Sequence, residues 1–120
     1  MLTIIVPVYN EKKTIRAILK KVSNLKNLRK QIIIVDDGST DGTTEILKNE
    51  YFNKKKKYKV IFHKINQGKG AAIKSAQKFI KQKYVAIQDA DLEYNPSDLH
   101  KIFNFIINNK HDVVYGSRVL

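Results

Sequence analysis

The stretch Tyr84-Val85-Ala86-Ile87-Gln88-Asp89-Ala90-Asp91 joins a short apolar run to two carboxylates spaced two residues apart. Side chains at positions i and i+2 of an extended chain point to the same side, so Asp89 and Asp91 should project together from a strand end. Adjacent carboxylates repel each other unless a cation lies between them, and Mg²⁺ or Mn²⁺ prefers such oxygen ligands. The stretch predicts either a metal site that also holds a phosphate or an acidic turn after a strand.

Size and composition indicate one globular domain. The chain has 120 residues, of which 42% are hydrophobic, with two Pro and five Gly. The absence of cysteine excludes disulfides and thiolate metal sites. No apolar run approaches the length of a membrane span, and residues 1–7 lack the basic region of a signal peptide. We therefore expect a cytoplasmic location.

The charge balance is strongly basic, with 23 Lys and Arg against 11 Asp and Glu and a formal net charge of +12. Such a balance suggests a polyanionic partner, which could be nucleic acid, anionic lipid or a phosphorylated substrate. The alternative is a compositional bias, since the chain is also rich in Asn and Ile. The run Lys54–Lys57 is more consistent with a solvated loop.

The apolar pattern predicts alternating strands and helices. The expected strands are Leu2–Val8, Gln31–Val35, Lys59–His63, Tyr84–Gln88 and Val113–Tyr115. A helix should follow each of the first four strands, with Asn10 capping the first at Glu11 and Asp41 capping the second. Asn95 should cap the fourth helix, with Pro96 in its first turn. This alternation predicts an α/β fold with a mostly parallel sheet and helices on both faces.

In sheets of this kind, ligands bind outside the carboxyl ends of the strands. That rule places four stretches on one rim, namely residues 7–11, 36–41, 89–91 and 116–118. All four are polar or rich in turn-forming residues, and two are acidic. We expect the functional site on this rim.

Five motifs occur in order along the chain, each at the end of a predicted strand. They are VPVYNE at 6–11, VDDGSTDGT at 35–43, NQGKG at 66–70, QDADLE at 88–93 and GSR at 116–118. Together they resemble the amino-terminal half of a family 2 glycosyltransferase of the Rossmann-like GT-A fold. The stretch 89–98 is most similar to the branch that transfers sugars to polyprenyl phosphates, such as dolichyl-phosphate mannose or glucose synthases.

The resemblance implies that a nucleotide-diphosphate sugar, a UDP- or GDP-sugar, lies across the rim. Pro7, Tyr9 and Glu11 match positions that contact the nucleoside, and Val35 and Asp37 match positions that frame the base. A carboxylate can accept a hydrogen bond from a ring N–H, which suits uracil or guanine better than adenine.

Several rim residues also have structural interpretations. Tyr9 could instead pack on the first helix, and Asp36 could satisfy backbone amides of its own turn. Ser39 and Thr40 are more typical of turn and cap residues than of ligands. Lys69, at a helix start, could face a phosphate or be a solvated lysine.

The resemblance also implies the metal chemistry. Asp89 and Asp91 match the family's Asp-x-Asp element, which with Ala90 between them lies at the donor diphosphate and holds Mg²⁺ or Mn²⁺. The cation offsets charge on the leaving nucleoside diphosphate, so both aspartates are expected to be catalytic. Arg118 could add positive charge near that phosphate or be a surface residue.

In the family, the acceptor site lies carboxyl-terminal to the Gly-Ser-Arg region, and this chain ends two residues after Arg118. We therefore expect residues 1–120 to be a single GT-A domain truncated before the acceptor-binding half. The implied acceptor is a lipid phosphate or a glycan, with peripheral attachment at the cytoplasmic face of a membrane. An uncovered apolar surface could favour a homo-oligomer.

Two alternative functions are weighed against a glycosyltransferase. A receiver-type signalling domain phosphorylated on aspartate has a similar size and an acidic pair, but a strand and helix precede Asp36, and Gly-Ser-Arg stands where a receiver needs lysine. A basic nucleic-acid-binding module fits the charge, but no helix-turn-helix, zinc or stacking motif is evident. We expect no nucleic-acid partner.

Overall fold

The computed structural model describes residues 2–24, 29–54, 57–81 and 84–88, together with the backbone of 113–115. The strands are β1 (Leu2–Val8), β2 (Lys30–Asp36), β3 (Tyr58–Phe62), β4 (Tyr84–Ile87) and β5 (Val113–Tyr115). The helices are α1 (Ile15–Ser23), α2 (Thr43–Glu50) and α3 (Lys69–Gln77). The predicted bounds of the first and last strands are confirmed, and those of the other three differ by one residue at one or both ends.

The strands form one sheet in the order β3-β2-β1-β4-β5, and every strand pair in it is parallel. Ile5 at the centre of β1 is opposite Ile33 on β2 and Ile87 on β4. The α/β prediction with a parallel sheet is confirmed. The chain leaves β1 toward β2 on one side and reaches β4 on the other, so the carboxyl ends of β1 and β4 form the switch point where such sheets bind ligands.

Alternation along the strands divides the core between the two faces of the sheet. On one face, buried β1 and β2 residues pack against α1 and α2, and the cluster includes Ile4, Val6, Ile18, Leu19, Ile34 and Leu47. On the other face the strands pack against α3, and the buried cluster is Ile5, Ile33, Val35, Ala72, Ala76, Val85 and Ile87. Fully burying one such aliphatic side chain stabilises a fold by about 1.5–3 kcal/mol, so both faces contribute substantially.

The predicted start of the first helix is wrong. Helix α1 begins at Ile15 with Thr14 at its N-cap position, four residues after the predicted start at Glu11. Asn10 adopts a left-handed conformation with φ of 53°. Its side-chain Oδ1 accepts a hydrogen bond from the amide of Thr40 at 2.7 Å. Asn10 does not cap α1 because its side chain is used between two loops.

The predicted cap of the second helix is displaced by one residue. Gly42, with φ of 106°, occupies the N-cap position of α2. Asp41 lies one residue earlier, yet its Oδ1 still accepts a hydrogen bond from the Thr43 amide at 3.0 Å. Its Oδ2 accepts one from the Lys12 amide at 3.2 Å. Asp41 therefore joins the start of α2 to the loop after β1.

Two further predictions fall outside the described residues: the fourth helix with Asn95 and Pro96, and the acidic end at Asp89 and Asp91. Within the described part of the chain, none of the helices has the length and apolar character needed to cross a bilayer.

Candidate functional site

Two loops at the carboxyl edge of the sheet are hydrogen-bonded into one rim. The Asn10 amide donates to Ser39 Oγ at 2.9 Å, beside the bond from Thr40 to Asn10. The amide of Glu11 donates to Thr43 Oγ1 at 3.1 Å. The motif after β1 is thus joined to the motif after β2 by side chains that both motifs contribute. Ser39 and Thr40 have the turn role that the sequence favoured.

Asp36 is a buried structural residue, 1% exposed. Its Oδ1 accepts a hydrogen bond from the Ser39 amide at 3.1 Å, and its Oδ2 accepts one from the Thr44 hydroxyl. The interpretation that Asp36 satisfies an amide of its own turn is confirmed. The second bond extends this role, because it attaches the turn to the first helical turn of α2.

Asp37 faces the other side of the sheet and is 3% exposed. Its Oδ1 accepts from the Gln67 amide at 2.9 Å and lies 2.8 Å from Nδ1 of His63. Its Oδ2 accepts from the Gly68 amide at 2.8 Å and from Nδ2 of Asn66 at 3.1 Å. A carboxylate offers about four acceptor positions, and these four donors occupy them. Asp37 therefore organises the loop that leads into α3.

The surroundings of Asp37 keep its carboxylate ionised. Burial alone would raise the pKa of Asp37, but the hydrogen bond with His63, the amides of Gln67 and Gly68, and the His63 charge act in the opposite direction. Together they hold the pKa below its ordinary value of 3.8. At neutral pH the site therefore contains a buried negative charge.

His63 is a site residue that the sequence did not reveal. The pattern placed it at the end of the third strand, but it follows β3, and its ring connects Asp37 to α3. Nε2 of His63 lies 2.8 Å from Oγ of Ser75. One sequence signal could have helped to find it. Ser75 is a hydroxyl residue beside the inward-facing Ala72 and Ala76 of α3, and a hydroxyl on a packed helix face needs a polar partner.

The described residues expected to contact the nucleoside differ in accessibility. Tyr9 is 45% exposed, so its ring and hydroxyl are open to a ligand. Pro7 is partly buried and is opposite Val35 in the β1–β2 register. Val35 is fully buried among the residues that pack on α3. Glu11 accepts a hydrogen bond from the Thr14 hydroxyl at 3.1 Å.

A cleft of about 290 Å³ lies between α2 and the end of β3. Its lining includes Ser39, Lys48, Phe62, His63 and Lys64. It opens on the α2 side of the sheet, and it contains none of the predicted site residues that the structure describes. The cleft adjoins the expected ligand rim through Gly38 and Ser39, which belong to the stretch 36–41.

Asp89 and Asp91, which are predicted to hold the metal, lie outside the described part of the chain. So do Ala90 and Arg118, which are predicted to contact the donor diphosphate. Within the described ranges, no group of three His, Cys, Asp or Glu side chains could hold a metal ion. The metal site at Asp89 and Asp91 stays a prediction, based on the preference of Mg²⁺ and Mn²⁺ for carboxylate oxygens.

The sequence pattern of Glycosyl transferase family 2 matches residues 3–120. The chain belongs to this family. One relative in family 2 is the UDP-N-acetylglucosamine–dolichyl-phosphate N-acetylglucosaminyltransferase of Methanococcus voltae, which is 36% identical over 137 residues, covering 99% of this chain and 52% of that protein. Another is the dolichyl-phosphate beta-glucosyltransferase of Saccharomyces cerevisiae, 35% identical over 113 residues, covering 88% and 34% respectively. The chain thus spans about half the length, or less, of these curated relatives.

Solved structures agree with the family 2 assignment. The mannosyltransferase PcManGT of Pyrobaculum calidifontis, solved with GDP-Man and Mn²⁺, superposes with a TM-score of 0.71 at 26% identity, covering 82% of this chain and 30% of that one. The family 2 chain therefore has the GT-A fold. Its strand order also differs from the 2-1-3-4-5 order of receiver domains. Neither alternative function is favoured.

Proposed function

We propose that this chain is the donor-binding part of a glycosyltransferase that uses a nucleotide-diphosphate sugar and a divalent metal and transfers a hexose to a polyprenyl phosphate. One observation carries this proposal. The family 2 motifs after β1 and β2 are hydrogen-bonded to each other at the rim beside the β1–β4 switch point, through Asn10, Ser39, Thr40 and Thr43. A nucleotide that bridges strand ends needs such a continuous rim.

The donor nucleoside would lie on the rim contributed by Pro7, Tyr9 and Glu11, with Val35 and Asp37 beneath the base. The exposed ring of Tyr9 offers a stacking face and a hydroxyl. Val35 is buried and would contribute shape rather than a polar contact. Uracil and guanine are both retained as candidate bases, because one relative is named for a UDP-sugar and PcManGT was solved with GDP-Man.

The metal would be held by Asp89 and Asp91, and Ala90 would lie beside the diphosphate. A bound Mg²⁺ or Mn²⁺ would supply Lewis-acid stabilisation of the leaving nucleoside diphosphate. Arg118 would add a positive charge that does not depend on pH, since its guanidinium stays protonated. The Mn²⁺ in the PcManGT complex supports this assignment by analogy within the fold.

A lipid phosphate is the proposed acceptor, with a glycan as the alternative. Both named relatives carry dolichyl phosphate in their names. A phosphate monoester has a second pKa of about 6, so it is largely ionised at neutral pH and can attack without a strong general base. Such an acceptor would place the protein peripherally at the cytoplasmic face of a membrane, where it could also self-associate.

A thermal-shift screen of UDP- and GDP-sugars, with Mn²⁺ or with EDTA, tests this function. A ligand at 100 times its Kd should stabilise the chain by about 2.7 kcal/mol, and this shift should disappear in EDTA. ADP-glucose serves as the control for the base. The proposal is contradicted if no uridine or guanosine diphosphate sugar raises the melting temperature, or if ADP-glucose raises it equally.

A further inference from the structure

The ring of His63 joins three parts of the fold. Its amide donates to the carbonyl of Asp36 at 2.8 Å, which places the residue beside the end of β2. Its Nδ1 lies 2.8 Å from Oδ1 of Asp37, and its Nε2 lies 2.8 Å from Oγ of Ser75 on α3. The side chain is 8% exposed. A polar side chain this deeply buried, with both nitrogens bonded, is held in one orientation.

The hydrogen-bond roles follow from the partners. An ionised carboxylate only accepts, so Nδ1 of His63 carries a proton and donates to Asp37. In the neutral ring Nε2 then accepts from the Ser75 hydroxyl, and in the charged ring it donates to the same oxygen. In both protonation states the contact between Asp37 and His63 is satisfied.

The Asp37 carboxylate transmits this orientation to the next loop. The amides of Gln67 and Gly68 and the side chain of Asn66 all donate to it. Gly68 is the N-cap residue of α3, with φ of 99°, and Lys69 is the first helical residue. A negative charge at this end of α3 is also favoured by the helix dipole. The position of Lys69 therefore depends on where the carboxylate is held.

The order Ser75, His63 and Asp37 has the composition of a hydrolytic triad, but its setting differs. Ser75 lies within α3, between Gln77 and the inward-facing Ala72, rather than on an exposed turn after a strand. Its hydroxyl is directed at a ring that is itself attached to the loop-organising carboxylate. The arrangement is a chain of hydrogen bonds that fixes the position of the Asp37 carboxylate.

We propose that His63 and Ser75 are positioning residues of the donor site, which hold Asp37 and thereby set the loop 66–68 and the start of α3 for nucleotide binding. The inference rests on the proposed function. The proposal also changes the expected role of Asp37. Protein donors occupy its carboxylate, so Asp37 would act on the base indirectly, by holding the loop 66–68.

Four variants test whether the hydrogen bonds of His63 and Ser75, rather than the volumes of their side chains, hold Asp37. His63→Leu removes both ring nitrogens, whereas His63→Asn keeps an N–H donor close to the position of Nδ1. Ser75→Ala removes the hydroxyl, and Ser75→Thr keeps it. The matched control is Ser23→Ala, because Ser23 donates to the Lys20 carbonyl at the exposed end of α1, away from the rim.

Two readouts are needed: the Kd for UDP or GDP with Mn²⁺ by calorimetry, and the amide NMR signals of Gln67 and Gly68. Loss of a hydrogen bond to a charged group should weaken binding about tenfold or more in His63→Leu and several-fold in Ser75→Ala. His63→Asn and Ser75→Thr should restore most of the affinity, and Ser23→Ala should leave it unchanged. The amide signals should move only in the two disruptive variants.

Unchanged affinity in folded His63→Leu would overturn the proposal. If that variant does not fold, unchanged affinity and unchanged amide signals in Ser75→Ala would overturn it instead. Failure of the proposed function is distinguishable, because the wild-type chain would then bind neither nucleotide. The Gln67 and Gly68 signals would still decide whether His63 holds the loop.

Discussion

Asp36 and Asp37 are adjacent in the chain, yet their carboxylates accept hydrogen bonds from groups on opposite faces of the sheet. Asp36 bonds to the Thr44 hydroxyl at the start of α2, and Asp37 bonds to the loop before α3. This follows from strand geometry, in which successive side chains point to opposite faces. The same alternation sends Ile34 toward the cluster with α1 and α2 and Val35 toward α3. One acidic pair therefore organises two different loops.

Alanine substitutions of Asp36 and Asp37 should differ in their effects on ligand affinity and on melting temperature. Asp37→Ala should weaken nucleoside diphosphate binding, because the loop 66–68 loses the carboxylate that holds it, and should also lower the melting temperature, because four buried donors lose their acceptor. Asp36→Ala should chiefly lower the melting temperature, because the Ser39 amide loses its acceptor and the Thr44 hydroxyl keeps only its longer bond, 3.3 Å, to the Ser39 carbonyl. Calorimetry and thermal unfolding of both variants check this. A larger loss of affinity in Asp36→Ala, at matched melting temperature, would mean that the roles are reversed.

Acid stability should report on Asp37 directly. Its pKa in the folded state lies below the ordinary value of 3.8, so the folded chain holds this proton less tightly than the unfolded chain. Its contribution to stability is therefore fully present above about pH 4 and is lost as the pH falls through the lowered pKa. The difference in unfolding free energy between wild type and Asp37→Asn should shrink below about pH 4. Urea titrations at several pH values measure it, and a difference that stays constant down to about pH 2.5 contradicts the prediction.

Three glycines provide a graded test of the loops. Gly38 has φ of +76°, and a Cβ there would lie 2.5 Å from the backbone of Ile65 and Asn66. Gly68 has φ of +99°, but a Cβ there would meet nothing within 4 Å. Gly70 lies inside α3 with open space around it. These three sites separate backbone overlap from conformational strain.

The expected order of unfolding free energies follows from these differences. Gly38→Ala should destabilise most, by well over about 1 kcal/mol, because strain and overlap add. Gly68→Ala should cost about 1 kcal/mol from strain alone. Gly70→Ala should stabilise by up to about 0.5–1 kcal/mol, because Gly70 is the second residue of α3 and alanine loses less backbone entropy than glycine on folding. Equal stability of the Gly38 and Gly68 variants would contradict the close approach of the two loops.

Local patterns predicted the strands well because their signal is contained within a few residues. The apolar run Leu2–Val8 and the turn formers after it define β1 without reference to the rest of the chain. The alternation of strands and helices then predicts the parallel sheet. The apolar residues at helical spacing likewise predicted one helix after each of the first three strands.

Features that depend on contacts between loops were not predictable in this way. The start of α1 was misplaced because the partner of the Asn10 side chain is Thr40, thirty positions along the chain. His63 was missed because its bond to Asp37 spans 26 positions and forms only when β2 and β3 pair in register. The metal prediction at Asp89 and Asp91 stays a prediction, since those residues lie outside the described part.

Metal-dependent donor binding tests the central claim most directly. UDP or GDP, whichever the thermal-shift screen selects, is titrated calorimetrically with Mn²⁺ into the wild-type chain and into Asp89→Asn and Asp91→Asn. The wild type should bind saturably, and each variant should lose Mn²⁺-dependent binding without a change in melting temperature, because each loses one carboxylate ligand charge. Mn²⁺-dependent binding that is unchanged in both variants would contradict the account.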